Sequence, residues 1–324
     1  MPINFSAWGS RRGDRRQKLA SPSTHFGYFD ANRSVEVVNG RMGPNANPRL
    51  RSIMDVVVRH LHAATREAAI TPEEWMTAIT FLTDTGQMCS QWRQEFILLS
   101  DVLGVSMLVD ALNHQRPQGA TENTVLGPFH VADAPQYSNG DNICLDRKGE
   151  PLLVRGRVVD GDGNPVAGAL LDVWQANEAG YYDVQQKGTQ PDFNLRGIFR
   201  TNEKGEYWFR TAKPRWYPIP DDGPVGRMLA ALDRHPNRAA HLHFIVLASG
   251  FETVITHIFT PDCPYLPEDA VFGVKQSLIA DFRKINDPTR AAELGFNNPF
   301  WEVDWDFVMA RQVGTAQAGE FVHN

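Results

Sequence analysis

The chain has 324 residues, of which 42% are hydrophobic, and this is enough for one large domain or for a domain with an accessory unit. A net charge of -6 and a pI of about 5.9 argue against a nucleic-acid-binding protein, which usually presents a basic face. No run of about 18 apolar residues occurs, so no membrane span is predicted.

The first 28 residues are predicted to form a mobile N-terminal extension, and the basic run at 11–18 is interpreted as a solvated stretch. This segment lacks the apolar core of a signal peptide, so secretion is not expected. The three cysteines, Cys89, Cys144 and Cys263, have spacings that suit neither a disulfide framework nor a thiolate metal cluster. We therefore expect a cytoplasmic location.

The next part of the chain has the pattern of helices. A first helix is predicted to begin at Asn47-Pro48, because Asn is a favourable N-cap and Pro suits the first helical position. Apolar residues then recur at helical spacing. A second helix begins with a capping box formed by Thr71 and Glu74. A third apolar run covers residues 95–113.

The character of the sequence changes near residue 117. Residues 29–117 are predicted to be a helical domain and residues 118–324 a β-sandwich, because glycine and proline there separate short β-rich runs. Hairpins are predicted within 152–176, 197–211 and 240–260. Short strands at this spacing favour an antiparallel sandwich over parallel βαβ units. The predicted fold class is mainly β with an α-helical N-terminal part.

The pair His241 and His243 is the sharpest local signal of a site. Residues two apart on a β-strand point to the same face, so these imidazoles would converge on one ion, and the four residues that follow are strand formers. Half-buried sheet histidines produce the same pattern, so both interpretations stay open here. His60 and His62 share the spacing, but on a predicted helix they would diverge by about 200° and are interpreted as structural.

Arg238 and two tyrosines could complete such a site. Arg238 precedes the histidine strand, and Tyr182 and Tyr217 lie in loops that glycine or proline fixes, where functional groups are common. A packing role for each tyrosine is the other interpretation. Ferric iron deprotonates phenols whose ordinary pKa is about 10, and two tyrosinates with two imidazoles would suit it. A site with only histidines would favour zinc, copper or ferrous iron.

Five strings of the sequence are characteristic: TVLGPFH (124–130), LLDVWQANEAGYYD (170–183), RWYPIPDDGP (215–224), NRAAHLHF (237–244) and YLPEDAVFGVKQSLI (265–279). The most specific motifs within them are W-x-A-N with G-x-Y, and R-x-x-H-x-H. On these strings the sequence resembles the intradiol ring-cleavage dioxygenases, and within them the hydroxyquinol 1,2-dioxygenases, over roughly residues 29–310. The resemblance implies a helical linker domain before a catalytic β-sandwich, and a homodimer through the helical domain, often with bound phospholipid.

The same resemblance implies a site with one Fe(III) per subunit. The implied iron ligands are Tyr182, Tyr217, His241 and His243. Tyr217 would also accept a substrate proton, and Arg238 would stabilise negative charge that develops on the ring, although a structural ion pair is the other interpretation of Arg238. The residues implied for the substrate pocket are Leu98, Asp101, Val125, Leu126, Gly127, Pro128, Ile219, Pro220, Arg238 and Val271.

Two residues favour the hydroxyquinol branch. Asp101 could accept a hydrogen bond from a third ring hydroxyl, although a helix-surface carboxylate is the other interpretation. His257 stands where catechol enzymes carry Gln, and is implied to lie near the iron without binding it. The implied reaction is cleavage of hydroxyquinol (benzene-1,2,4-triol) with dioxygen to maleylacetate (3-hydroxy-cis,cis-muconate) in aromatic catabolism. The alternative within the class is cleavage of catechol to cis,cis-muconate.

Two other classes of protein remain open from the sequence. A non-catalytic β-sandwich binding module has the same fold signals, because fold does not fix function. A cupin-like ferrous or zinc enzyme could use His257 as a third histidine, but it would also need a carboxylate ligand. Colour distinguishes the dioxygenase from a binding module, since tyrosinate bound to ferric iron gives a red-brown protein and a binding module is colourless.

Overall fold

The computed structural model of the chain describes residues 27–90 and 93–312. The basic run at 11–18 and most of the predicted N-terminal extension lie outside these residues. The chain divides into two compact units, one ending at Leu82 and the other beginning at Thr83. Within the described ranges, no helix combines the length and the apolar character that a membrane span requires.

Three α-helices lie between residues 34 and 88, and two of them begin at predicted positions. Their bounds are α1 (Ser34–Asn39), α2 (Pro48–Glu67) and α3 (Pro72–Met88). The Asn47 side chain caps α2 by accepting from the backbone N–H groups of Arg49 and Leu50, at 2.9 and 3.1 Å. Thr71 and Glu74 form the predicted capping box with hydrogen bonds of 2.8 and 3.2 Å. Both predicted starts are therefore confirmed, whereas α1 was not predicted.

The apolar run at 95–113 forms two helices, α4 (Glu95–Val102) and α5 (Val105–Asn113). Two further helices lie later in the chain, α6 (Pro224–Ala231) and α7 (Pro288–Glu293). Gly104, with φ 73°, separates α4 from α5, because that backbone conformation ends a helix. Val102 of α4 packs with Val225 and Leu229 of α6. The compact unit that begins at Thr83 thus includes α4 and α5 together with α6.

Eleven strands are present in the described residues, and most lie in two sheets. Their bounds are β1 (Pro151–Asp160), β2 (Leu170–Trp174), β3 (Arg196–Arg200), β4 (Glu206–Ala212), β5 (Tyr217–Pro218), β6 (Asn237–Arg238), β7 (His241–Leu247), β8 (Val254–Phe259), β9 (Phe282–Ile285), β10 (Phe300–Asp304) and β11 (Phe307–Met309). One sheet has the order β11-β1-β10-β9, with β4 also paired to β1, and the other has the order β3-β2-β7-β8. The short strands β5 and β6 pair with each other.

The main core lies between these sheets. Leu152 and Phe209 from the first sheet belong to one buried cluster with Leu171, Leu242 and Phe244 from the second. Burial alternates along β4, as expected for a strand with one face on a sandwich core. The predicted β-sandwich, preceded in the chain by an α-helical N-terminal part, is thus confirmed.

Strand pairing differs from the hairpin predictions in two places. The prediction within 240–260 is confirmed, since β7 and β8 pair antiparallel. The predictions within 152–176 and 197–211 are wrong, because β1 and β4 belong to one sheet whereas β2 and β3 belong to the other. The turns there carry the chain across the sandwich. β1 also pairs parallel with β10 and β11, so the first sheet is mixed.

Candidate metal centre

His241 and His243 lie on β7, a strand inside its sheet, and point to the same side. Each is 2% exposed, and their Nε2 atoms are 3.0 Å apart. His241 Nδ1 lies 2.5 Å from the Ala239 carbonyl oxygen, so this nitrogen donates and Nε2 keeps its lone pair. Burial lowers the pKa of both imidazoles well below the usual value, so both are neutral and able to bind a metal.

Tyr182 reaches the histidines from the loop after β2. Asn177 shapes this loop, because its Oδ1 accepts the backbone N–H groups of Ala179 and Tyr181, both at 3.0 Å. The two adjacent tyrosines then separate: Tyr182 is 1% exposed and Tyr181 is 47% exposed. The Tyr182 hydroxyl lies 2.9 Å from His243 Nε2. In this segment the tyrosine of the G-x-Y motif, Tyr182, therefore points into the protein, whereas the intervening Tyr181 faces solvent.

Tyr217 comes from β5 and closes the group. It pairs with Arg238 of β6 across the short ladder, and it is 4% exposed. Its hydroxyl oxygen lies 2.9 Å from that of Tyr182. Two phenol oxygens and two imidazole nitrogens thus converge, although they come from a loop, a short ladder and a sheet.

The spacing and chemistry of these four atoms fit a metal ion. Ligand bonds of about 2.0–2.1 Å place neighbouring ligand atoms about 2.9–3.4 Å apart, and the observed separations are 2.9, 2.9 and 3.0 Å. Burial raises the pKa of the Tyr182 and Tyr217 hydroxyls, so their phenolates need a nearby cation. A trivalent ion would supply that charge.

His257 lies beside the pair without completing an equally tight group. It is fully buried on β8 opposite His243, and its ring stacks on His241 with 4.4 Å between centroids. Among the described residues, the three histidines are also a possible metal-binding group, but their facing nitrogens are only within 4.8 Å of one another. The Tyr182 hydroxyl lies 2.9 Å from His243 Nε2 and 2.9 Å from the Tyr217 hydroxyl, and this tighter spacing favours the mixed donor set.

Arg238 has both an ion-pair partner and unused donors. Its Nε lies 3.4 Å from an Asp269 carboxylate oxygen, so the ion pair considered from the sequence exists. Burial alone would lower the pKa of this guanidinium, but Asp269 and the two tyrosine hydroxyls outweigh it and raise the pKa. Nε and Nη2 make no hydrogen bond within the described part of the chain, although the side chain is 4% exposed. Such donors could bind an anionic substrate oxygen.

Five of the ten residues implied for the substrate pocket lie in two apolar clusters. Leu98, Val125, Ile219 and Val271 pack in one cluster, and Leu126 packs against Trp174, Tyr182 and Tyr217. A Cβ on Gly127 would lie 3.2 Å from His243 Cε1, so the chain passes directly over this imidazole. Pro128 is exposed and Pro220 is half-buried, so their position follows only from their neighbours Gly127 and Ile219.

Asp101 lies on α4, in the same helix as Leu98. Burial raises the pKa of its carboxyl group, whereas Ser106 and the charge of Arg238 act in the opposite direction. The carboxylate is therefore partly withdrawn from water and close enough to Arg238 to feel its charge. This environment differs from that of an ordinary carboxylate on a helix surface.

Sequence reasoning missed several residues that support the site. The Trp174 ring stacks on His243 with 4.5 Å between centroids and an interplanar angle of 11°. The Phe129 ring stacks on Tyr182 at 4.6 Å. Asp269 binds the backbone N–H of Ala239 at 2.9 Å in addition to its pairing with Arg238. Trp174 and Phe129 lie within the recognised motifs, whereas Asp269 gave no signal beyond its presence in the string at 265–279.

Substitution of Gly180 tests how closely the two tyrosine segments pack. Its φ is 84°, and an added Cβ would lie 2.9 Å from Tyr217 Cβ. We expect Gly180→Ala to cost about 2–4 kcal/mol in unfolding free energy, from left-handed strain plus overpacking, and to lower iron retention. Gly188→Ala is the matched control, because Gly188 has φ 78° but open space around it. Equal losses in both variants, measured by thermal unfolding and iron analysis, would contradict this packing.

Comparisons with known proteins agree with this architecture. The sequence model for "Catechol dioxygenase N terminus" matches residues 47–121, and that for "Dioxygenase" matches residues 125–311. The chain thus belongs to the intradiol ring-cleavage dioxygenases, a family of enzymes that use non-haem iron.

Within the family, the chain is similar to hydroxyquinol 1,2-dioxygenases. It is 65% identical to the hydroxyquinol 1,2-dioxygenase of Rhizobium sp. (strain MTP-10005), over 88% of this chain and 97% of the relative. It is 48% identical to the 6-chlorohydroxyquinol 1,2-dioxygenase of Cupriavidus pinatubonensis, over 87% and 98%. The crystal structure of hydroxyquinol 1,2-dioxygenase from Pseudomonas putida DLL-E4 matches with a TM-score of 0.80 and 46% identity, over 87% and 97%.

Proposed function

We propose that this chain is a ferric intradiol dioxygenase that cleaves hydroxyquinol with dioxygen to maleylacetate, in the catabolism of aromatic compounds. Its similarity to hydroxyquinol 1,2-dioxygenases supports the substrate. The observation that carries the chemistry is the series Tyr217, Tyr182, His243 and His241, in which each donor atom lies 2.9–3.0 Å from the next.

These four residues are the proposed ligands of one Fe(III) per chain. Two phenolates would offset two of its three positive charges, and a hydroxide would offset the third. Neutral imidazoles add donors without changing that balance. Ferric iron, when bound, would draw electron density from a bound diol and so make a ring carbon reactive toward dioxygen. The donor set supports the ferric state, because hard, anionic oxygen ligands favour a hard, highly charged cation.

The chain's own residues have separate tasks in this proposal. Tyr217 accepts a proton from a substrate hydroxyl at its Oη, since Arg238 stabilises the charge of that oxygen. The unused donors of Arg238 bind the substrate oxygen on which negative charge develops. The buried side chains of Val271 and Ile219, with the half-buried Leu98, orient the ring and exclude water. His257 acts on the ligand histidines by packing against their rings.

Asp101 is the proposed determinant of hydroxyquinol preference. A hydrogen bond from the third ring hydroxyl to this partly buried carboxylate would contribute about 1.5–3 kcal/mol. We expect Asp101→Asn to lower the ratio of kcat/KM for hydroxyquinol to that for catechol by about tenfold to a hundredfold. Asp84→Asn is the control, because the Asp84 side chain is 43% exposed and forms an ion pair with Arg227. An unchanged ratio in Asp101→Asn would remove this role.

Oxygen uptake on a panel of diols and triols, with identification of the products, tests the proposed function. Maleylacetate from hydroxyquinol, at a higher kcat/KM than cis,cis-muconate from catechol, is the expected result. Equal values for both substrates would favour the catechol alternative within the same class. No uptake by iron-loaded protein on any of them would refute the enzyme assignment and favour a binding module.

The remaining proposals concern assembly and location. Exposed apolar side chains on α2, including Met54, Val56, Val57 and Leu61, support homodimerisation through the helical domain. A bound phospholipid is proposed for the same domain on the family resemblance alone, and lipid extraction tests it. Light scattering tests the dimer. The unpaired state of Cys89, Cys144 and Cys263 supports a reducing, cytoplasmic location.

A further inference from the structure

A buried arginine on β3 contacts two residues that adjoin Tyr182. Arg196 is 1% exposed. Its Nε and Nη2 lie 2.7 and 2.6 Å from Asp183 Oδ1, and its Nη1 donates to the Phe129 carbonyl oxygen at 2.7 Å. Asp183 follows Tyr182 in the chain, and the Phe129 ring stacks on the Tyr182 ring at 4.6 Å. The guanidinium carbon lies 5.9 Å from the Tyr182 ring centroid.

This arrangement needs the shape of arginine as well as its charge. One planar fork reaches a carboxylate on one side and a backbone carbonyl on the other, whereas a lysine ammonium is a point charge on a flexible stem. Removing an ion pair of this kind from water is costly, so its presence is weak evidence for a contribution to stability. Both partners of Arg196 instead adjoin Tyr182: Asp183 is the next residue in the chain, and the ring of Phe129 stacks on the Tyr182 ring.

The alternative is that Arg196 only closes the loop that follows Tyr182. Asp183 also accepts the backbone N–H of Phe193 at 3.1 Å, so the carboxylate has a structural task of its own. That task does not involve Phe129, which comes from a different segment and packs on the ring itself. The link to the Phe129 carbonyl is therefore the contact that a purely structural account leaves unexplained.

We propose that Arg196 is a positioning residue for the iron centre: it fixes the Tyr182 ring through Asp183 on one side and Phe129 on the other. The orientation of this ring sets how its oxygen meets the metal. Within the described residues, the side-chain hydrogen bonds of Arg196 go to Asp183 and Phe129 and not to Tyr217, His241 or His243, so its geometric effect on the centre passes through Tyr182. This inference rests on the proposed function, because it assumes that Tyr182 is an iron ligand.

The test compares Arg196→Lys with Arg210→Lys in iron-loaded protein. Arg210 is half-buried and also joins two loops through carbonyl oxygens, those of Gly140 and Leu294, and in the described part of the chain its side chain makes no hydrogen bond to the candidate site. For Arg196→Lys we expect a shifted visible tyrosinate-to-iron absorption band and a kcat about tenfold to a hundredfold lower, because a displacement of about 1 Å can cost a hundredfold. For Arg210→Lys we expect an unchanged band and kcat, with at most a lower melting temperature.

The outcomes separate this inference from the proposed function. Wild-type protein without iron or colour refutes the proposed function, whatever the variants do. A coloured, active wild type with an unchanged band and kcat in Arg196→Lys overturns only the positioning role, even if the melting temperature falls. If Arg196→Lys does not fold, Phe129→Leu is used, because it removes the stacked ring and leaves the Phe129 carbonyl in the chain. A shifted band there supports the proposal, and an unchanged band overturns it.

Discussion

Substitution of Tyr182 by phenylalanine is expected to remove the iron, and with it the colour and the ring-cleavage activity. The buried hydroxyl lies 2.9 Å from both Tyr217 Oη and His243 Nε2, so its loss deletes one proposed ligand from the middle of the group. Changes to the outer partners of metal ligands already cost about tenfold to a hundredfold in affinity. We therefore expect loss of a ligand to lower iron affinity by more than about a hundredfold, measured by metal analysis after dialysis.

Tyr181→Phe is the matched control for this prediction. Tyr181 is the adjacent residue and is 47% exposed, so the same chemical change there removes a hydroxyl outside the group. It should retain iron, colour and activity. A Tyr182→Phe protein that keeps full iron content and absorbance would contradict the assignment and favour the site of three histidines. Phenylalanine has nearly the same shape as tyrosine, so the fold should survive in both variants.

Substitution of Arg238 by lysine should lower kcat by about a hundredfold to a thousandfold, while iron content stays near that of the wild type. Loss of one donor to a developing oxyanion has an effect of about this size. Lysine keeps a positive charge beside Asp269, whose side chain is 1% exposed, but it loses the guanidinium donors that have no hydrogen-bond partner among the described residues. Single-turnover kinetics on iron-loaded protein measure the effect.

Lysine is preferred to an uncharged residue because of Asp269. An uncharged side chain would leave that buried carboxylate unpaired, which typically costs about 3–5 kcal/mol and would confuse misfolding with slow chemistry. Arg227→Lys is the control, since the Arg227 side chain is 64% exposed and pairs with Asp84 on the surface. A wild-type kcat in Arg238→Lys would leave Arg238 with only the ion-pair role.

Much of the site can be predicted from the sequence because its signals are local. The alternation of a β-strand puts His241 and His243 on one face, and Gly180 and Asn177 shape a short loop that turns Tyr182 inward. The supporting contacts could not be predicted in the same way. Arg196 and Asp269 lie in other segments of the sequence than the residues they contact. The sequence around them does not distinguish these buried charges from ordinary surface charges.

The fold was predictable in its strands and less so in their pairing. The capping signals at Asn47 and Thr71 act within a few residues, so the helix starts are correct. A turn between two strands reverses the chain, but it does not decide whether the second strand joins the same sheet. β7 and β8 remain neighbours, whereas β1 and β2 separate because each finds its partners elsewhere in the sequence. That choice depends on the packing of the whole sandwich.

The central claim is that two tyrosinates and two histidines hold one ferric ion in each chain. Metal analysis combined with the visible spectrum of purified, catalytically active protein tests it most directly. The account predicts one iron per chain and a broad tyrosinate-to-iron absorption that makes the protein red-brown and that shifts when substrate is added without oxygen. Active protein that is colourless, or that carries zinc in place of iron, would contradict it.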